Sequence, residues 1–467
     1  MTAIDFTTEV EKRKEDLLAD LFSLLEINSE RDDSKVDAEH PFGPGPVKAL
    51  EKFLEIADRD GYPTKNVDNY AGHFEFGDGE EVLGIFAHMD VVPAGSGWDT
   101  DPYTPTIKDG RLYARGASDD KGPTTACYYG LKIIKELGLP TSKKVRFIVG
   151  TDEESGWADM DYYFEHVGLA KPDFGFSPDA EFPIINGEKG NITEYLHFAG
   201  ENAGAARLHS FTGGLRENMV PESATAVVSG DLVADLQGKL DAFVAEHKLR
   251  GELQEEAGQY KVTIIGKSAH GAMPASGVNG ATYLALFLSQ FDFAGPAKNY
   301  LDIAGKILLN DHEGENLKIA HVDEKMGALS MNAGVFRFDE TSADNTIALN
   351  IRYPKGTSPE QIKSILENLP VASVSLSEHG HTPHYVPMED PLVQTLLNVY
   401  EKQTGLKGHE QVIGGGTFGR LLERGVAYGA MFPDSIDTMH QANEFIALDD
   451  LFRAAAIYAE AIYELIK

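Results

Sequence analysis

The chain has 467 residues, enough for two or more domains with substantial cores. Its 41 basic and 74 acidic residues give a formal charge of −33, a surface that repels phosphate backbones and anionic membranes and so argues against a nucleic-acid or lipid-surface partner. The single cysteine, Cys127, excludes an intrachain disulfide; with no signal-peptide succession and no apolar run near the ~20 residues of a membrane span, a cytoplasmic location is expected.

Residues 7–27 read as an amphipathic helix with Leu17, Leu21, Leu24 and Leu25 on one face. Residues 46–60 predict a second helix, opened by proline and closed by Gly61. Residues 82–87 read as a buried strand that delivers His88-Met89-Asp90 at its end. A short strand at 111–117 leads to Ser118-Asp119-Asp120-Lys121-Gly122-Pro123, and a helix from Thr124 to about Leu137 follows. The apolar, partly β-branched stretch 144–150 predicts another buried strand, running into Thr151-Asp152-Glu153-Glu154-Ser155-Gly156. A helix near 159–166 and a strand at 173–177, ending in Pro178-Asp179, complete the run. Strands alternating with helices predict a mainly parallel sheet flanked by helices.

After about Gly187 the texture changes. Short alternating strands at 224–229, 260–265 and 346–353 are mixed with helices at 232–247, 280–291 and 358–368. The last opens with Ser358-Pro359-Glu360-Gln361, a capping box with proline at the first helical position. From about Pro387 the first texture returns, with a helix at 391–404, a glycine-rich loop at 414–416, a strand at 426–431 and a closing helix at 448–466. The expected organisation is a discontinuous α/β domain, 1–187 plus 387–467, interrupted by an α+β insert, 188–386.

Metal-capable side chains fall at or just after the ends of the predicted strands: His88, Asp119 or Asp120, Glu153 or Glu154, and Asp179, with His440 after a later loop. In a parallel sheet those ends share one crevice. Each residue alone is a commonplace turn or surface group. Together they concentrate negative charge in a way that calls for a cation. Two histidines and three carboxylates match a pair of zinc ions sharing a carboxylate bridge, and the lack of thiolates argues against a structural zinc knot. One of the adjacent acids at 153 and 154 could bind a cation while its neighbour handles protons.

These motifs, in this order, resemble the M20 metallopeptidases. The resemblance rests on His88-Met89-Asp90, Gly116-Ala117-Ser118-Asp119-Asp120-Lys121-Gly122, Asp152-Glu153-Glu154-Ser155-Gly156, Ser177-Pro178-Asp179 and His440, and it runs through the whole chain. Tyr70-Ala71-Gly72, Pro183-Ile184-Ile185-Asn186-Gly187-Glu188 and the segment from Val412 to Arg420 look most like the bacterial dipeptidase V branch, related to carnosinases. The resemblance implies a catalytic domain and a lid of two ferredoxin-like lobes. It implies that Asp119 bridges two zinc ions, that His88 and Asp179 complete one site, and that Glu154 and His440 complete the other. Glu153 would be the general base, and Asp90 would hydrogen-bond the His88 imidazole.

In the insert, Lys267-Ser268-Ala269-His270-Gly271 looks like the family's lid histidine motif, with His270 donating to the developing oxyanion. Asn218 matches a lid asparagine that contacts substrate. Arg352 would clamp the substrate carboxylate, helped by backbone amides of Gly414, Gly415, Gly416 and Thr417. His379, His381 and His384 lie outside the motif and read as a surface or packing cluster.

The activity implied is that of a dizinc dipeptidase acting on unblocked dipeptides, β-alanyl ones such as carnosine included. An N-acyl or N-succinyl amino-acid deacylase on the same scaffold is the alternative enzyme, and a non-catalytic zinc-binding protein the alternative of another class. A double-sized lid that supplies His270 and Arg352 within one chain implies a monomer.

Overall fold

The computed structural model describes residues 4–201, 203–232 and 235–467. The chain packs as two units. The first holds the residues up to Gly187, Tyr385–Gln411 and Gly416–Lys467; the second holds Glu188–His384 and Val412–Gly415.

In the first unit a six-stranded sheet runs in the order Thr64–Val67, Ala71–Phe76, Lys144–Gly150, Val82–His88, Phe174–Ser177, Gly425–Ala427. The last four are mutually parallel, and the first two form an antiparallel edge. Leu83, Ile85, Phe86 and Ala87, like Phe147, Ile148 and Val149, are buried whichever face they point to. That is why these strands read as continuous apolar runs and not as alternation. Helices Lys121–Glu136 and Leu448–Ile466 pack against each other.

Two local expectations change here. The helix expected over 7–27 is two helices, Phe6–Glu11 and Lys14–Leu25. Arg13 leaves helical geometry between them, and its guanidinium bonds the Glu9 and Glu136 carboxylates. The strand expected over 426–431 is two short strands, Gly425–Ala427 and Ala430–Met431, separated where Gly429 takes a φ of 72°.

The second unit is built on one eight-stranded antiparallel sheet. Its order is Arg250–Glu256, Gln259–Ile265, Ser223–Gly230, Ala206–Gly213, Ser330–Asp339, Asn345–Tyr353, Gly190–Phe198, Ser373–Leu376. It divides into two four-stranded halves, joined where Ser210–Gly213 pairs with Phe336–Asp339. Leu236–His247 and Gly280–Leu288 pack on the first half, Gly295–Asp302 and Pro359–Leu366 on the second. The two expected lobes are thus the halves of a continuous sheet. Along Ser223–Gly230, Ala224, Ala226 and Val228 are buried beneath the helices while their neighbours face out, the period-2 pattern of a one-sided sheet. The first turn of the helix expected at 232–247 includes residues 233–234, which lie outside the described residues; the observed helix starts at Leu236, capped by Asp235. Ser358 caps Pro359–Leu366 by accepting from the amide of Gln361 at 3.3 Å.

Candidate active site

Val82–His88 ends in His88, the adjacent Lys144–Gly150 runs into Thr151-Asp152-Glu153-Glu154, and Phe174–Ser177 is followed by Pro178-Asp179. Because these strands are parallel, all three ends open on one edge of the sheet. Nε2 of His88 lies 3.1 Å from Oδ1 of Asp119 and 3.6 Å from Oδ2 of Asp179. Nε2 of His440 lies 2.9 Å from Oδ2 of Asp119 and 3.2 Å from Oε2 of Glu154. Two triads result, His88–Asp119–Asp179 and Asp119–Glu154–His440, each with ligand atoms within 4.8 Å of one another. Asp119 belongs to both. Its neighbour Asp120 turns away, accepting from the Thr124 hydroxyl at 2.8 Å and the His88 amide at 3.3 Å. His440 sits at a φ of 61°, a left-handed conformation rare for a residue other than glycine and frequent at functional positions.

The electrostatics are those of a cation site. Burial pushes the carboxyls of Glu153, Glu154 and Asp179 above their ordinary range, and the charge of the neighbouring acids adds to it; Glu154 is lifted to about 8. Burial also opposes ionisation of Asp119, but its bonds to His440 and His88 outweigh that and hold it low. The imidazole of His440 is penalised by burial, yet Asp119 and Glu154 raise it to about 11. The carboxylates thus lean on two imidazoles for positive charge. A set of nitrogen and oxygen donors without thiolate, grouped as two triads around the buried Asp119, fits divalent metal ions.

A second layer of carboxylates holds the turns that carry these groups. Asp90 accepts from the amides of Glu153 at 3.2 Å and Glu154 at 3.1 Å. Its backbone carbonyl lies 3.0 Å from Nδ1 of His88, closer than its carboxylate at 3.4 Å. The expected bond from the Asp90 side chain to the imidazole is therefore the weaker of its contacts, because two amides occupy the carboxylate. Asp159 accepts from the amides of Thr151 and Asp152 at 2.7 and 3.0 Å. Gly150 makes that approach feasible, since a Cβ there would stand 2.2 Å from Oδ2 of Asp159. Asp152 in turn pairs with Arg31 and accepts from the Ala158 amide. Sequence reading does not single out Arg31, Asp152 or Asp159 for these roles. Their acidity or basicity is visible, but which amide a buried acid faces is a property of the folded turn.

The other sequence-predicted residues divide between the units. Asn218, His270, Arg352, Gly414 and Gly415 belong to the second. There the Gly271 amide donates to the Asn218 carbonyl at 2.7 Å, and Asn332 Nδ2 braces the loop through the carbonyls of Glu217 and Met219. Nδ1 of His270 accepts from the Ala272 amide at 3.2 Å. A Cβ on Gly414 would meet Ala272 Cβ at 3.2 Å and Arg352 Cγ at 3.6 Å, so the glycine loop lies against both. Asn218, His270, Gly414 and Arg352 are therefore linked neighbours within that unit. Gly416 and Thr417 lie in the first unit, where Thr417 caps Phe418–Leu421 and the Phe418 ring packs against His88 and Trp157. Among the described residues, neither triad includes His379, His381 or His384. His381 exchanges backbone bonds with Asn191 and accepts from the Tyr353 hydroxyl, a packing role.

Residues 84–464 match the model of peptidase family M20/M25/M40. The chain is 45% identical to the Beta-Ala-Xaa dipeptidase of Lactobacillus delbrueckii subsp. lactis, covering 99% of both chains. It is 41% identical to the putative dipeptidase YtjP of Bacillus subtilis, covering 99% of this chain and 100% of that one. Its fold is similar to that of human carnosine dipeptidase 1, with a TM-score of 0.59 at 16% identity over 98% of each chain. It is also similar to the aminoacylhistidine dipeptidase of Vibrio alginolyticus, with a TM-score of 0.55 at 16% identity over 96% of this chain and 97% of that one. The two-unit fold, the paired triads and a family match over most of the length make this chain a metallopeptidase of the M20/M25/M40 family.

Proposed function

We propose that the chain is a dizinc dipeptidase that removes the N-terminal residue from unblocked dipeptides, β-alanyl ones included. The observation that carries this reading is the position of Asp119, whose two carboxylate oxygens each engage a different imidazole. That is how a carboxylate bridging two cations is placed. His88 and Asp179 would complete one site, Glu154 and His440 the other. When bound, the two ions supply Lewis-acid polarisation of the scissile carbonyl and a water acidic enough to react near neutral pH.

The remaining chemistry belongs to the protein. Glu153 takes the proton from the attacking water and passes it to the departing amine, which leaves poorly unless protonated. Burial raises its affinity for that proton, which favours the first of these transfers. Asp90 keeps the Glu153–Glu154 backbone in place during both transfers. His270 donates to the developing oxyanion, and Asn218 contacts the substrate beside it. Arg352 takes the free carboxylate with its planar fork, and amides of the loop from Gly414 to Thr417 complete that pocket. Capping of both substrate ends would limit the length to two residues. The Lactobacillus relative named for β-alanyl dipeptides supports including that class.

A double-sized sheet in one chain supports a monomer. No helix among the described residues is long and apolar enough to cross a membrane, and the buried, unpaired Cys127 suits the cytoplasm. The test is a substrate panel of dipeptides, β-Ala-His, a tripeptide and an N-acetyl amino acid, run with chelator and with added zinc. Cleavage of dipeptides alone, lost with chelator and restored by zinc, is expected. Cleavage of the N-acetyl amino acid in place of dipeptides would assign a deacylase; zinc uptake without hydrolysis of any amide would leave a binding protein. Light scattering showing a stable dimer would overturn the monomer.

A further inference from the structure

We propose that Glu444 is the positioning residue of the metal centre, holding the Asp119 turn and the His440 loop in register before any ion binds. This rests on the metal-centre reading above. The Glu444 carboxylate is buried and accepts four bonds. Oε2 takes Nη1 of Arg115 at 2.7 Å and the amide of Gly116 at 3.1 Å; Oε1 takes the amides of Ser118 at 2.8 Å and Asp119 at 3.1 Å. Four donors fill the acceptor sites of a carboxylate, so Glu444 has none left for a cation. Its role toward the ions must pass through the residues it holds.

Two members of the triad Asp119–Glu154–His440 depend on it. The Asp119 amide donates to Glu444 directly. His440 is four positions before Glu444, in a loop closed on itself by the Phe445 amide donating to Thr438 Oγ1 at 3.1 Å. His440 takes a φ of 61°, a left-handed conformation with a steric cost that surrounding bonds must hold, and Asn443 takes 60°. Asn443 provides one such bond by accepting from the Asp99 amide at 2.8 Å. Arg115 extends the same support: it is 1% exposed, lies 5.3 Å from the Trp98 ring and reaches the Pro93 carbonyl. Glu444 and Arg115 thus tie together the segments following His88, preceding Asp119 and following His440. The 2.9 Å contact between His440 and Asp119 is fixed by this knot as well as by their own bond. Ordering the loops in advance removes a conformational cost that ion binding would otherwise meet.

The test uses the full-length, metal-stripped chain titrated with Co2+ alone, as wild type, Glu444→Gln and Glu444→Asp. The wild type should take up two ions. Glu444→Gln should weaken uptake by about 10- to 100-fold, the usual cost of losing an outer partner of a ligand, and alter the visible Co2+ absorption. Glu444→Asp should recover part of both. In the metal-free wild type, hydrogen exchange should find the backbone of residues 116–119 still protected. Wild-type affinity and spectrum in Glu444→Gln would overturn the inference. So would free exchange of those amides in the metal-free wild type, a result that stands even if the variant fails to fold. A wild type that binds no Co2+ would instead overturn the metal-centre reading.

Discussion

Nη1 of Arg31 lies 2.5 Å from Oδ1 of Asp152, pinning the N-terminal segment to the turn that bears Glu153 and Glu154. Burial lifts the Asp152 carboxyl to about 6 even though Arg31 pulls the other way. Its folded value lies above its ordinary 3.8, so ionising it costs stability as pH rises from about 4 to 6. Removing Arg31 enlarges that cost. Arg31→Met should lower stability by about 1–2 kcal/mol at pH 8, discounted because Arg31 is partly exposed, and by less at pH 4.5. Denaturant unfolding at the two pH values measures this, and equal losses would show that the pair does not oppose Asp152 titration.

Asp119 and Asp120 are adjacent, buried and chemically identical, yet their surroundings predict different outcomes. Asp119 faces two imidazoles; Asp120 faces a threonine hydroxyl and the His88 amide. Asp119→Ala should abolish uptake of both ions, with kcat/KM falling by at least ~10³, because the shared ligand of a metal-dependent reaction is gone. Asp120→Asn keeps an acceptor for both of its donors and should retain zinc, with activity within about 10-fold. Elemental analysis after gel filtration decides it. Full zinc content in Asp119→Ala would end the assignment of Asp119 as the bridge.

These two acids also mark how far the sequence could be read. The apolar runs before His88, Glu153 and Asp179 showed strands, and parallel pairing brought their ends together, so the triads were legible as candidates. Side-chain direction was not: nothing local distinguishes Asp119 from Asp120 until the backbone turns one toward His440. The supporting bonds of Asp90, Asp159 and Glu444 were hidden for a similar reason. Each joins a carboxylate to an amide whose direction depends on a tight turn. In the insert, period-2 alternation revealed strands, but not that Ser210–Gly213 and Phe336–Asp339 pair to fuse two halves into one sheet.

Glu194 predicts a pH-dependent stability unrelated to the metal centre. It is fully buried in the second unit, opposite Leu349 and Leu376 on the neighbouring strands, and neither carboxylate oxygen has a hydrogen-bond partner among the described residues. Burial lifts its carboxyl to about 8, against a partial pull from Lys363. Between pH 4.5 and 8 the unfolded chain therefore releases this proton while the folded chain keeps it, and stability falls as pH rises. Glu194→Gln is neutral throughout. It should match the wild type near pH 4.5 and exceed it at pH 8, by up to about 4 kcal/mol if the full shift is realised. Thermal unfolding across that range measures the divergence, and parallel curves for the two proteins would refute it.

Arg352 offers the sharpest test of substrate recognition. Its side chain is buried on Asn345–Tyr353, against Gly414 and beside the loop of His270. If its guanidinium takes the substrate carboxylate through two parallel bonds, Arg352→Ala should raise KM for dipeptides about 10- to 100-fold, the range expected for losing a charge-assisted pair. Arg352→Lys should recover only part, because an ammonium cannot reproduce the planar fork. Dipeptide amides, which lack the carboxylate, should be poor substrates for the wild type and should be turned over by the wild type and Arg352→Ala at similar rates. That last comparison separates recognition from folding, since a misfolded variant would lose both substrates together. An unchanged KM for free dipeptides in Arg352→Ala would remove the residue from the binding pocket and leave the glycine loop as the carboxylate's partner.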